Sequence, residues 1–151
     1  NDERPNEPNV GAVKAAESDA GLRNLDSYRA FSERVKETKR SLLRFLLDAR
    51  ERGKSVVGYG APAKAITLLN YCGVRTDFLH YTVDRSPHKQ DHFLPGVHVP
   101  IYSPERISET KPDYVLIFPW NLKDEIMKQM AHIREWGGKF VVPVPSATVL
   151  E

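Results

Sequence analysis

The chain has 151 residues, 40% of them apolar, a formal net charge of +2 and one cysteine. That length and apolar share support one domain with an attached segment, and the near-neutral charge excludes a strong field for nucleic acid or an anionic membrane. The lone Cys72 excludes an internal disulfide framework and a cysteine-based zinc site and fits a reducing, cytoplasmic setting, while no apolar run approaches the ~20 residues of a membrane span.

The chain opens on Asn1, without an initiating Met or a signal peptide, and reads as a piece of a longer protein. Residues 1–9, with Pro5, Pro8 and alternating charges, read as an extended linker, and the Ala-rich residues 10–20 as a short helix. Asn24 to Ser27 supply capping residues for a long amphipathic helix over 28–52. Its apolar stripe runs through Tyr28, Phe31, Val35, Leu42, Phe45, Leu46 and Ala49, and Gly53 ends it. Its opposite face, with Arg29, Arg34, Lys36, Lys39, Arg40 and Arg44, reads as a solvated surface.

From residue 55 the pattern alternates. Strands are expected over 55–59, 78–84, 99–102, 113–119 and 139–143. Helices are expected over 61–72, 104–109 and 121–136, and residues 85–98 form a polar loop. Alternation of this kind gives an α/β fold: a small Rossmann-like, mostly parallel five-stranded sheet with helices on both faces, ordered 3-2-1-4-5. The long N-terminal helix packs on one face. Domain limits fall at 1–24 (linker and short helix) and 25–151 (the Rossmann-like domain). Ligands of such a sheet lie beyond the carboxyl ends of the strands, here Gly58 to Lys64, Asp84 to Gln90, Pro119 to Asn121 and Pro143 to Ser146.

The stretch Val-Val-Gly-Tyr-Gly-Ala-Pro-Ala-Lys (56–64) is a strand, a glycine turn and a helix start with Pro62 in its first turn. Free N–H groups at such a turn suit a phosphate, and Lys64 adds a cation. Gly58-x-Gly60-x-x-Ala63, with Asp84 at the end of the second strand, fits a relaxed dinucleotide-binding fingerprint. The same glycines also serve as a bare turn, and Asp84 as a cap or a partner of Arg85. The loop Arg85-Ser86-Pro87-His88-Lys89-Gln90-Asp91-His92 is rich in donors for phosphate or sugar hydroxyls. His88, His92 and His98 lie in a Pro-interrupted loop with no second motif in register, so no metal site is expected. Trp120 reads either as core or as a stacking platform, and Asn121 as the cap of the next helix. No nucleophile is paired with a histidine, and Cys72 reads as a packed thiol.

Six ordered motifs carry a resemblance. They are Gly-Tyr-Gly-Ala-Pro-Ala-Lys (58–64), Thr-Leu-Leu-Asn-Tyr-Cys-Gly (67–73), Thr-Val-Asp-Arg-Ser-Pro-His-Lys-Gln (82–90), Leu-Pro-Gly-Val-His-Val-Pro-Ile (94–101), Pro-Asp-Tyr-Val-Leu-Ile-Phe-Pro-Trp-Asn-Leu-Lys-Asp-Glu-Ile (112–126) and Arg-Glu-Trp-Gly-Gly-Lys-Phe-Val-Val-Pro (134–143). Over roughly 10–149 the chain resembles the C-terminal domain of the S-adenosylmethionine-dependent sugar C-methyltransferases. The resemblance implies a parent that methylates a nucleotide-linked keto-deoxysugar at carbon, by deprotonation beside the ketone and attack of the carbanion on the donor's methyl group. It implies a zinc-binding domain and a methyl-donor-binding domain upstream. Those parts hold the donor site and the general base, so this fragment carries no catalytic residue. The present domain is then a nucleotide-sugar holder facing the donor domain. The residues implied near the substrate are Gly58, Tyr59, Gly60, Ala61, Lys64, Asn70, Asp84, Arg85, Lys89, Gln90, Trp120 and Asn121. Ala65, Ile66, His88 and His92 depart from the family pattern and leave the sugar unspecified. The alternatives are an NAD(P)-binding oxidoreductase or regulatory module, and a structural packing domain.

Overall fold

A computed structural model describes residues 8–150. The expected linker over residues 1–7 lies outside the described residues. Two compact units divide after Lys36, within the long helix.

In the first unit, α1 (Pro8–Asp19) begins earlier than its Ala-rich core. The start of α2 (Leu25–Glu51) is capped by Asn24, whose Oδ1 accepts the Asp26 N–H at 3.0 Å. Tyr28 and Phe31, expected in a continuous buried stripe, are exposed.

In the second unit, the rest of α2 buries Leu42, Leu46 and Ala49, a four-then-three spacing that keeps one stripe inward. On its outer face Glu37 pairs with Arg40 and Arg44, which neutralises part of the basic surface. The chain then lays down β1 (Val56–Tyr59), α3 (Ala63–Cys72), β2 (Thr82–Val83), β3 (Ile101–Tyr102), α4 (Glu105–Thr110), β4 (Tyr114–Ile117), α5 (Lys123–Gln129), β5 (Lys139–Val142) and β6 (Thr148–Leu150). The sheet order is β3-β2-β1-β4-β5-β6, parallel except for the antiparallel β5–β6 pair. The switch point of the winding therefore lies between β1 and β4.

Two cores cover the two faces of this sheet. Leu42, Leu46, Ala65, Leu69, Val56 and Leu116 form one with α2 and α3. Val57, Ile107, Val115, Ile126, Ile133 and Phe140 form the other with α4 and α5. Period-two alternation along β1 and β4 sends neighbouring residues to opposite cores. Cys72 is buried, and that burial raises its thiol pKa, as a packed thiol requires.

Three expectations need correction. The sheet has six strands, not five. Residues 143–147 turn back through a cis Val144–Pro145 bond, and β6 pairs along β5. Residues 121–136 are not one helix. A 3₁₀ turn (Trp120–Leu122), α5 and a second 3₁₀ segment (Ala131–Trp136) replace it, with Met130 leaving helical geometry to bury its side chain. The polar loop ends at His92 rather than at 98. Asp91 N and Ile101 N exchange bonds with Ile101 O and His92 O, and Leu94 N reaches Val99 O. The segment folds as a small hairpin whose Leu94, Val97 and Val99 enter the core.

Candidate functional site

The glycine turn is zipped onto the end of β2. Gly60 N–H donates to Val83 O at 2.6 Å, Gly60 O accepts the Thr82 hydroxyl at 2.9 Å, and Ala61 N–H donates to Asp84 Oδ2 at 2.7 Å. The spacing of the two glycines follows from packing. A Cβ at Gly58 would come within 2.6 Å of both Phe118 Cε2 and Thr82 Oγ1, so Thr82 could not reach across to Gly60 O. Gly60 has φ +92°, and a Cβ there would sit 2.6 Å from the Pro119 ring.

Pro119, at the end of β4, thus packs against Gly60, at the end of β1, in the crevice between the two strands. Lys64 Nζ lies 4.2 Å from the centre of the Trp120 ring and donates to Asn121 Oδ1. The structure brings Lys64, Trp120 and Asn121 together, as the sheet-edge argument expects, and shows them engaged with one another.

Asp84 grips the neighbouring loop. Its Oδ1 accepts Ser86 N–H at 2.9 Å, and its Oδ2 accepts Lys89 Nζ at 3.1 Å as well as Ala61 N–H. Gln90 Nε2 donates to Asp84 O at 2.9 Å. The Asp84 side chain is 13% exposed. Burial pushes its carboxyl upward, but the Ser86 and Ala61 N–H groups and Lys89 outweigh this and hold it below the ordinary carboxylate value. Both oxygens are used within the chain, the geometry of a turn clamp rather than of a waiting ribose ligand.

Beside this clamp opens a cleft of ≈ 400 Å³ at the carboxyl ends of β1, β2 and β3. Tyr59 and Met130 form its buried floor. Half-buried Gln90, Ser103 and Pro104 form its walls, and exposed Arg85, Glu105 and Gln129 its rim. Burial raises the Tyr59 phenol pKa against the opposing pull of Arg85, so the hydroxyl keeps its proton.

Of the expected site residues, Tyr59, Arg85 and Gln90 line this cleft, and Ala61, Asp84 and Lys89 build its support. Gly58 is interior packing. Asn70 stands apart, at the far end of α3, where Nδ2 donates to Ile66 O and Pro95 O and fixes the hairpin turn. Of the expected edge at Pro143 to Ser146, Pro145 O accepts the Thr38 hydroxyl and does not line the cleft. Ser103, Pro104, Glu105, Gln129 and Met130 were not expected. The first three follow Tyr102 at the carboxyl end of β3, a position the sheet rule itself identifies. Gln129 and Met130 reach the cleft only because α5 stops there, and the sequence carries no signal of that break.

No group of three or more His, Cys, Asp and Glu side chains among the described residues forms a metal-binding cluster. No helix among them is long and apolar enough to cross a membrane.

Comparison with known proteins gives a family. The model of the C-methyltransferase C-terminal domain matches residues 1–145. The C-methyltransferase NovU of Streptomyces niveus is 37% identical over 146 residues, which is 95% of this chain and 34% of that protein. The chain therefore spans about a third of the length of the curated relative it matches. Among solved structures, a UDP-D-quinovosamine 4-dehydrogenase from Vibrio fischeri matches with TM-score 0.46 and 17% identity, over 65% of this chain and 93% of that one. Because the family model spans residues 1–145 of the 151, the chain belongs to the C-methyltransferase C-terminal domain family.

Proposed function

We propose that this domain binds and orients the nucleotide-sugar substrate of an S-adenosylmethionine-dependent C-methyltransferase acting on a keto-deoxysugar. The observation that carries the reading is the cleft at the strand carboxyl ends: a phenol, a guanidinium and two carboxamides converge there, in a domain of this family. Arg85 at its rim and Lys64 at the adjoining crevice are the cations offered to the ligand's diphosphate. Trp120 offers a ring face beside Lys64.

The methyl donor does not fit the glycine turn of this chain. The Gly60 and Ala61 N–H groups are spent on Val83 O and Asp84, and Pro119 packs against Gly60. In our reading the donor, the general base and a structural zinc belong to upstream domains of the parent, which this domain faces across the substrate. The same spent N–H groups weigh against nicotinamide binding.

Calorimetric titration of the chain with dTDP- and UDP-sugars, and with NAD and NADP, tests the proposal. Binding of the sugar nucleotides without the dinucleotides is expected. Tight NAD or NADP binding, or no sugar-nucleotide binding, overturns it.

A further inference from the structure

We infer that the Tyr59 cleft receives the neutral, hydroxylated sugar ring, with the Tyr59 hydroxyl as its specificity contact, and leaves the nucleoside diphosphate at or beyond the rim. The inference rests on the nucleotide-sugar reading above and assigns one part of that ligand to one cavity.

The starting point is an unspent polar group. Tyr59 is 5% exposed, yet among the described residues its hydroxyl has no hydrogen-bond partner. No fully buried side-chain oxygen or nitrogen lacks a partner among those residues, so this hydroxyl opens into the cleft it lines. Buried polar groups are otherwise paired. A near-buried phenol left open at the floor of a cleft is therefore a contact held in reserve.

The surrounding chemistry selects the class of group that would meet it. Gln90 spends its Nε2 on Asp84 O, which leaves Oε1 as an acceptor on the cleft wall. An acceptor suits a ligand O–H and repels a phosphate oxygen. The rim charges have opposite signs, Arg85 and Glu105, and the Glu105 backbone N–H, with the Ser103 hydroxyl, holds the Glu105 carboxyl below its ordinary value and so ionised. A diphosphate inside the cleft would face that carboxylate, whereas a ring of hydroxyls uses the acceptors and the donors together. Met130, Pro104 and the Tyr59 ring supply apolar surface for the C–H faces of a sugar. The cleft volume lies within the ~300–1,000 Å³ of small-molecule sites. Arg85, exposed at the rim, remains available to the phosphate nearest the ring.

The test is an NMR titration of the chain and its Tyr59→Phe variant, with methyl-labelled Met130 as reporter. The ligands are dTDP-glucose and UDP-glucose, with dTDP and UDP as sugar-free controls. The sugar nucleotides should shift Met130, and the controls should not. Tyr59→Phe, which keeps the ring that packs the floor, should weaken sugar-nucleotide binding about 3- to 10-fold, the loss of one hydrogen bond, and leave the controls and the melting temperature unchanged. Equal affinity in the variant, or a Met130 shift with dTDP or UDP alone, overturns the inference. Sugar-nucleotide binding that leaves Met130 unmoved overturns it while the nucleotide-sugar reading stands; no binding of any ligand removes both.

Discussion

Removing the Asp84 carboxylate should loosen the glycine turn by a predictable amount. In Asp84→Ala the Ala61 N–H, donating at 2.7 Å from a buried residue, loses its acceptor. An unsatisfied buried N–H costs about 1–3 kcal/mol. The half-buried Ser86 N–H is partly recovered by water and adds about 0.5–1 kcal/mol. The Lys89 pair contributes little, because Lys89 is 44% exposed. The sum is about 1.5–4 kcal/mol, or a melting temperature lowered by about 3–16 °C for a chain of this size. Asp84→Asn keeps one acceptor oxygen and turns an amide NH₂ toward the other donors, so about half that loss is expected. The pH dependence has a definite sign. The folded-state pKa lies below the unfolded value of about 4. The stabilisation is therefore complete above that value and is lost as pH falls through the lower folded pKa. Urea unfolding from pH 7 down to pH 3 should show a constant gap between wild type and Asp84→Asn above about pH 5, narrowing at the acid end. A variant within about 0.5 kcal/mol of wild type at pH 7, or a gap that widens on acidification, would refute the clamp.

Lys64→Ala and Arg85→Ala should each weaken nucleotide-sugar binding by about 1–3 kcal/mol with little effect on folding; unchanged affinity in both removes the two cations from the diphosphate. Gly58→Ala should destabilise by about 2–3 kcal/mol through overpacking against Phe118 and Thr82, read as a lower urea midpoint, and a neutral result would contradict the packing account of the glycine spacing. Asp113→Ala should cost about 1–2 kcal/mol, since Asp113 accepts both the N–H and the hydroxyl of Ser55 and binds Lys54 at 2.8 Å. Hydrogen exchange at the Ser55 amide should rise in that variant, and unchanged protection would count against the Asp113–Ser55 bonds.

The winding order of the first five strands was legible because each strand is a short apolar run closed by a turn signal, and right-handed crossovers leave few ways to connect them. The sixth strand was not, because Thr148 to Leu150 form only three residues of ladder whose partner is chosen by the turn before them. At the site, Arg85 and Gln90 could be read from the loop that follows the second strand. The meaning of Gly58 and Gly60 could not. Their spacing matches a phosphate-binding pattern, but Thr82, Phe118 and Pro119 require them for space, and those neighbours are distant in sequence. Asp84 was legible as important with its role open between a cap and a ribose contact, since a carboxylate that caps two amides and one that awaits a ribose look alike until the donors are located.

The loop between Asp84 and Ile101 is fastened at both ends, by the Asp84 carboxylate on one side and by the paired Asp91, His92 and Ile101 backbone on the other. Its span across the cleft wall is thus a fixed jamb and not a hinged door. A ligand entering there meets a surface whose ordering entropy was already lost in folding, so little of its binding energy goes into arranging the wall.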